Sequence, residues 1–346
     1  MFKVTVIGHF AYGLQFNDGQ TVKTINLANE LFRLFGKDRI ATIDTHGGVK
    51  TLLRAPLDSL KAMRTSNNVI ILPAHRGIRV YAMLFSALKI LFRNDKIHYV
   101  VVGGWLPSTV KKNKLLRDCL VRFDGIYVET KTMMKELTHL GFHNVAVLPN
   151  FKEIRIIEKH EIKYEWKEPL KLCTFSRVMA EKGIEDAVNA VRAINTESKR
   201  IVYRLDIYGP IDPTEQEWFS QLQESFPDYI NYMGVIDSKK SVEILKDYFI
   251  LLFPTHYFTE GIPGTIIDAY AAGVPVICSR WQNFDDLIDE GKTGFGYDFK
   301  DRQGLKTKLL KIANDPLIVN ELRENCINRA KDYTPAKAIQ SLISAL

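Results

Sequence analysis

Glu260 and Asp268, with seven residues between them, lie in a segment that begins Phe258-Thr259-Glu260-Gly261-Ile262-Pro263-Gly264 and ends Gly273-Val274-Pro275. A carboxylate accepts two hydroxyl hydrogen bonds, which suits a ribose diol or a sugar. Gly261 and Gly264, on either side of Ile262 and Pro263, leave backbone amides open at a helix N-terminus, and such amides attract phosphate. The plainer alternative is a helix that only packs, with both acids solvated. Other residues with chemical potential are the histidines. His75 follows an apolar run and precedes Arg76-Gly77, so it is either a site residue or a surface cap. His9 and His46 end the first two apolar runs. His256 ends the run before Glu260 and can orient that loop, whereas His98 lies inside a run and reads as structural. His139 and His143 have Gly141 between them, which ends a helix and separates the pair. With no Asp-x-Asp motif either, no metal is expected.

These residues need a frame. In the first half, apolar runs occur at Val4–Phe10, Ile40–Thr45, Val69–Ala74, Ile97–Gly103, Gly125–Glu129 and Val145–Pro149. In the second they occur at Leu170–Ser176, Tyr203–Gly209, Tyr229–Val235, Phe249–Thr255, Pro275–Ser279 and Gly294–Asp298. Most are apolar on both faces, as buried parallel strands are. Helical patterns such as Gln20–Phe35, Ile184–Asn195 and Gly304–Asn314 alternate with them. The rhythm predicts an α/β protein with two doubly wound sheets. The join falls near Phe151–Pro169. This gives a first domain over residues 1–152, joined again by a C-terminal helix over 334–346, and a second domain over 153–333.

Open α/β sheets take ligands at the carboxyl ends of their strands. The first such loop, Gly8-His9-Phe10-Ala11-Tyr12-Gly13, lacks GxGxxG, and the chain has no GxxxxGK[ST] loop, so dinucleotide and P-loop chemistry are disfavoured. The next loop, Asn17-Asp18-Gly19-Gln20-Thr21, opens a long helix. Asp18 or Thr21 can cap it, and Gly19 lets a ligand approach its amides; otherwise it is an ordinary capped turn.

Charge is unevenly placed. Of 47 Lys+Arg and 40 Asp+Glu, residues 1–150 hold 21 and 10, which leaves 26 and 30 for the rest. The basic half suits an anionic partner: nucleic acid, an anionic membrane surface or a phosphate-bearing substrate, unless it is only a solvated face. No nucleic-acid reading motif is present. Gly103-Gly104-Trp105, followed by Lys111, Lys112, Lys114 and Arg117, suits an acceptor with an anionic lipid or diphosphate. Val80–Leu91 is a nearly continuous apolar helix, either against lipid or buried between layers. The four scattered cysteines, the absence of a long apolar run and a strand-like Met1–Phe10 point to a cytoplasmic protein, with the membrane's inner face as a further location.

The segment from Glu260 resembles retaining glycosyltransferases of the GT-B type, most closely glycosyltransferase family 4. That family carries E-G-x-P-x-x-x-x-E-A-x-A-x-G-x-P-V-I. Here Glu260, Gly261, Pro263, Asp268, Ala269, Ala271, Gly273, Pro275, Val276 and Ile277 stand in those places, with Asp268 where Glu is usual. Phe175 to Gly183 resembles the family's first loop in its C-terminal domain, and by resemblance Arg177 and Lys182 grip the donor diphosphate. Two cations five residues apart, at a strand end and a helix start, can also offset charge on a leaving diphosphate. Gly209 and Val235 resemble the strand tips that carry the nucleobase loop. The family's histidine near the reacting carbon matches His75.

The resemblance implies two Rossmann-like domains facing across a cleft, with hinge closure. It implies metal-independent transfer, with retention, from a UDP- or GDP-type nucleotide sugar to a glycan or polyprenyl-linked acceptor for bacterial surface polysaccharide. Glu260 with nearby amides would hold the sugar hydroxyls and Asp268 the ribose. The competing readings are a GT-B nucleotide-sugar epimerase, a basic nucleic-acid-binding module and an inactive sugar-nucleotide sensor.

Overall fold

The computed structural model describes residues 2–14 and 18–346. Met1 and Asn17, included in the runs above, lie outside the described residues. The chain divides into two compact units, Met1–Glu153 with Tyr333–Leu346, and Ile154–Asp332.

The first unit carries a six-stranded, all-parallel sheet: β1 (Phe2–Gly8), β2 (Ile40–Asp44), β3 (Ser66–Ile71), β4 (Lys96–Val100), β5 (Gly125–Val128) and β6 (Val145–Val147), in the order β2-β1-β3-β4-β5-β6. The order reverses between β1 and β3, which marks the ligand-binding crevice of such a sheet. The strands are buried because Val4, Val6, Ile70, Ile71, Ile97 and Tyr99 fill both faces. On one face, helix Gly19–Phe35 contributes Leu27, Ala28 and Leu31 to a core shared with Ala338, Ile339 and Leu342 from the returning C-terminal residues. Helices Val49–Thr65 and Gly77–Leu91 bury Ala55, Ala62, Met63, Ile78, Tyr81 and Phe85 in a separate core.

Two buried polar groups depend on that packing. Lys23 donates to Glu129 Oε1 and to the Val101 carbonyl, both at 2.8 Å. Burial lowers the lysine's pKa, and Glu129 offsets part of that. His98 in β4 is fully enclosed, with Nδ1 3.3 Å from the Tyr127 hydroxyl and Nε2 without a partner. Its role is therefore structural. Burial pulls its pKa down to about 4, so the folded chain holds it neutral where the unfolded chain would protonate it. Stability from this group is thus complete above the ordinary value of 6.5 and is lost as pH falls towards 4. We expect the urea-unfolding free energy to fall by up to about 1.4 kcal/mol per pH unit across that window. In a His98→Leu variant that component of the slope should disappear; an unchanged slope would assign it elsewhere.

The second unit carries β7 (Leu170–Phe175), β8 (Tyr203–Tyr208), β9 (Ile230–Gly234), β10 (Ile250–Phe253), β11 (Val276–Ser279) and β12 (Gly294–Tyr297), all parallel, in the order β12-β11-β10-β7-β8-β9. Read from the other edge and numbered within the unit, this is 3-2-1-4-5-6, the doubly wound dinucleotide-fold order, with its reversal between β7 and β10. Helix Ile184–Ser198 buries Ile184, Ala187, Val188, Val191 and Ile194 against Leu172, Leu205 and Ile207. Each of the twelve anticipated runs overlaps a strand. Eleven of the strands stop one to three residues short of the runs' carboxyl ends, because the chain there leaves the ladder to form loops, and β11 ends with its run at Ser279.

Candidate functional site

In the second unit, two loops leave the strands that flank the order reversal. After β7 the chain runs through Ser176 and Arg177 into a tight turn, Ala180–Lys182, before helix Ile184–Ser198. After β10 it runs through Pro254 to Glu260 and then into helix Gly264–Ala271. Three contacts fix one loop to the other. Gly183, at φ +69°, lies so close to Pro254 that an added Cβ would sit 1.9 Å from the Pro254 carbonyl oxygen. The His256 amide donates to the Glu181 carbonyl at 2.7 Å. The His256 ring lies 2.6 Å from Asp186 Oδ2, and Asp186 Oδ1 also meets Arg302 at 2.8 Å.

That framework brings Lys182 and Glu260 together. The Lys182 ammonium donates to Glu260 Oε2 at 2.5 Å, and the two side chains are only 18% and 17% exposed. The ammonium also lies 5.7 Å from the centre of the Phe253 ring. Buried Asn283 donates to the Glu260 carbonyl at 2.7 Å and holds the backbone of the acid-bearing turn. A half-buried ion pair at the carboxyl ends of both switch strands offers a cation to a phosphate and a carboxylate to hydroxyls within one side chain's reach.

Helix Gly264–Ala271 starts after Pro263 with no side-chain cap, so its first amides remain available to an anionic ligand. Gly261, Ile262 and Pro263 are themselves buried, and Gly264 is half-buried. The enclosed Thr265 hydroxyl at this helix start has no hydrogen-bond partner, and the sequence reading did not single it out. Asp268 is in the helix's second turn at 4% exposure. Any ribose contact therefore requires the nucleoside to press against the helix.

Arg177 stands apart from the Lys182 pair. It is 50% exposed and its guanidinium meets Asp212 at 3.4 Å, on the loop after β8. Asp212 has a lowered pKa, through hydrogen bonds from Thr214 first and then Arg177. Gly209 has a packing role that the sequence does not advertise. At φ +134°, an added Cβ would sit 1.8 Å from the Ser176 carbonyl oxygen, so this glycine lets the loop after β8 approach the Arg177 backbone. Val235 lies exposed just past β9.

In the first unit, the loops at the reversal carry His9 and His75. Asp18 caps helix Gly19–Phe35 and accepts from the Gln20 and Thr21 amides. Burial acts to raise the Asp18 pKa, but hydrogen bonds from Thr21 outweigh it and leave the value lowered. The loop at Gly19 is thus a capped turn, one of the two readings its sequence allowed. The amides it was to expose already serve a carboxylate, and that carboxylate would repel an anionic ligand. From Asp18 a polar chain runs through Thr21 to His9 Nδ1 at 2.7 Å, and from His9 Nε2 to His46 at 3.0 Å. His75 is exposed after β3, 3.1 Å from the Thr109 hydroxyl, with its ring 4.8 Å from that of Trp105. The Gly103–Trp105 stretch thus meets His75 at the ends of β3 and β4.

Among the described residues, no group of three His, Cys, Asp or Glu side chains is disposed to hold a metal ion. Among them, too, no helix is long and apolar enough to cross a membrane.

A family model described as glycosyl transferases group 1 matches residues 156–333. The chain is 27% identical over 168 residues to the putative colanic acid biosynthesis glycosyltransferase WcaL of Salmonella typhimurium, covering 47% of this chain and 40% of that protein. It thus spans less than half the length of that relative. Two solved structures superpose over the full length of both chains: sucrose-phosphate synthase from Thermosynechococcus elongatus, at TM-score 0.78 and 15% identity, and Anabaena HepE in complex with UDP, at 0.76 and 13%. At such identities the likeness speaks for the fold alone.

Proposed function

The chain belongs to the group 1 glycosyltransferases and has the GT-B fold of two Rossmann-like domains, and from that premise we propose that it moves a sugar from a UDP- or GDP-type nucleotide donor to a glycan or lipid-linked acceptor during synthesis of a bacterial surface polysaccharide. The observation that carries this reading is the Lys182–Glu260 pair, set by the loops of both switch strands. Lys182 takes the donor diphosphate, and Arg177 adds a second cation from nearer the start of the same loop. Glu260 turns to the sugar hydroxyls, the open amides of helix Gly264–Ala271 take phosphate oxygen, and Asp268 faces the ribose. His75 with Trp105 belongs to the sugar and acceptor side. The similarity to WcaL supports the substrate class.

Transfer proceeds with retention in this reading. The bond between the anomeric carbon and the phosphate oxygen breaks, the acceptor oxygen bonds to that carbon on the same face, and its proton passes to the departing diphosphate. The negative charge that gathers on the diphosphate is offset by Lys182, Arg177 and the helix amides, the work a divalent ion would otherwise do. Transfer should therefore persist unchanged in excess EDTA, and a loss that is restored by magnesium or manganese would contradict this part of the account.

The reading is tested by thermal shift against a panel of nucleoside diphosphates and their sugars, followed by transfer assays with the stabilising donor. A ligand present at about a hundred times its Kd adds about 2.7 kcal/mol of stability, so the true donor stands out. A panel in which no nucleotide raises the melting temperature would remove the proposal. Donor turnover without any acceptor would favour an epimerase.

A further inference from the structure

Helix Val49–Thr65 of the first unit buries Ala55, Ser59, Ala62 and Met63 on one side. Its opposite side is apolar where solvent is expected. Val49, Leu53 and Leu57 recur every four residues and are 73%, 76% and 72% exposed. Leu52 adds to the edge of this stripe. Four cations, Lys50, Arg54, Lys61 and Arg64, are also exposed on the helix, and Asp58, its one acid, is turned half inward. At 100° per residue, Lys50, Arg54 and Lys61 lie alongside Leu53 and Leu57, and Arg64 lies between those two leucines. Placing such leucines in water forgoes the burial of several apolar side chains, which calls for a covering partner.

We infer that this face docks on an anionic lipid surface, with the helix lying in the plane of the headgroups. Leucines in line with a row of cations and without exposed acids match a bilayer whose apolar interior lies beneath a negative headgroup layer. A second copy of this chain fits poorly. A symmetric contact would set the same four cations against their counterparts around the leucines. The sequence left Val80–Leu91 either against lipid or buried between layers. In the structure, helix Gly77–Leu91 commits Ile78, Tyr81, Ala82 and Phe85 to the core and leaves only Met83, Ile90 and Leu91 as prominently exposed apolar side chains. The inference stands on the helix alone and does not require a particular donor or acceptor.

The test is co-sedimentation of the full chain with vesicles of phosphatidylcholine alone or mixed with about a third phosphatidylglycerol. Binding is expected to the anionic vesicles, weaker at high salt, and not to the neutral ones. A Lys50→Ser/Arg54→Ser variant should bind about thirtyfold less, from roughly 1 kcal/mol per cation. A Leu53→Ser/Leu57→Ser variant should also lose binding; both pairs are exposed, and circular dichroism with the melting curve checks that the fold is kept. No binding by the wild type, or equal binding by both variants, overturns the inference. So does a concentration-dependent dimer that the leucine variant abolishes without any vesicle binding, which would make a second copy the occupant. Nucleotide thermal shift is unaffected by these changes, so failure here is separable from failure of the proposed transfer.

Discussion

A Lys182→Ala variant should lose sugar transfer about a thousandfold and bind the nucleoside diphosphate about tenfold more weakly, with its circular dichroism spectrum unchanged. The magnitude follows from removing a pre-positioned cation where negative charge builds as the donor breaks. Glu260→Gln should also suppress transfer about a hundredfold or more, because the amide accepts hydroxyl hydrogen bonds less strongly than the carboxylate and carries no charge to stabilise a cationic sugar. Its effect on nucleotide binding should have the opposite sign. In the structure, Lys182 is held by Glu260 at 2.5 Å. Neutralising the acid frees the ammonium for phosphate, so nucleoside diphosphate should bind at least as tightly as to the wild type. Isothermal titration with transfer assays separates the two outcomes. A purely structural ion pair predicts equal losses in both variants, confined to stability.

Gly183→Ala should be the most damaging small substitution at the site. The new Cβ would stand 1.9 Å from the Pro254 carbonyl oxygen, and backbone on both sides leaves little room for relief. The φ of +69° adds the strain of a left-handed L-residue. We expect a loss of about 3 kcal/mol or more in urea unfolding, together with loss of transfer, since the Lys182 and Glu260 loops would be pushed apart. Gly234→Ala provides the control. Its φ is +73° but nothing lies within 4 Å of the added Cβ, so only the strain, roughly 1 kcal/mol, should appear. Equal losses at the two glycines would show that close approach contributes nothing.

The two sheets were legible because parallel strands buried on both faces read as continuous apolar runs. Leu251–Phe253 and Val276–Cys278, paired in register, are examples. The acid-bearing turn was legible because its glycines, proline and carboxylates sit close together in the chain. Contacts between distant segments were not. That Lys182 meets Glu260, 78 residues on, depends on β7 lying next to β10, which the order of strands in the chain does not state. Asn283, Asp186 and Asp212 act through the same kind of long-range placement. Gly209 and Gly183 both look like ordinary loop glycines until the carbonyls of Ser176 and Pro254 are seen against them. Gly19 shows the reverse. Its local sequence allowed either open amides or a capped turn, and only the structure shows that Asp18 accepts from them. The leucines of helix Val49–Thr65 stand out only once their exposure is known.

A crystal structure with the stabilising nucleoside diphosphate bound decides whether the Lys182–Glu260 pair serves the donor. A phosphate oxygen is expected about 3 Å from the Lys182 ammonium, with the diphosphate at the start of helix Gly264–Ala271. A nucleotide seated elsewhere, with the Lys182–Glu260 pair intact and untouched, would contradict it.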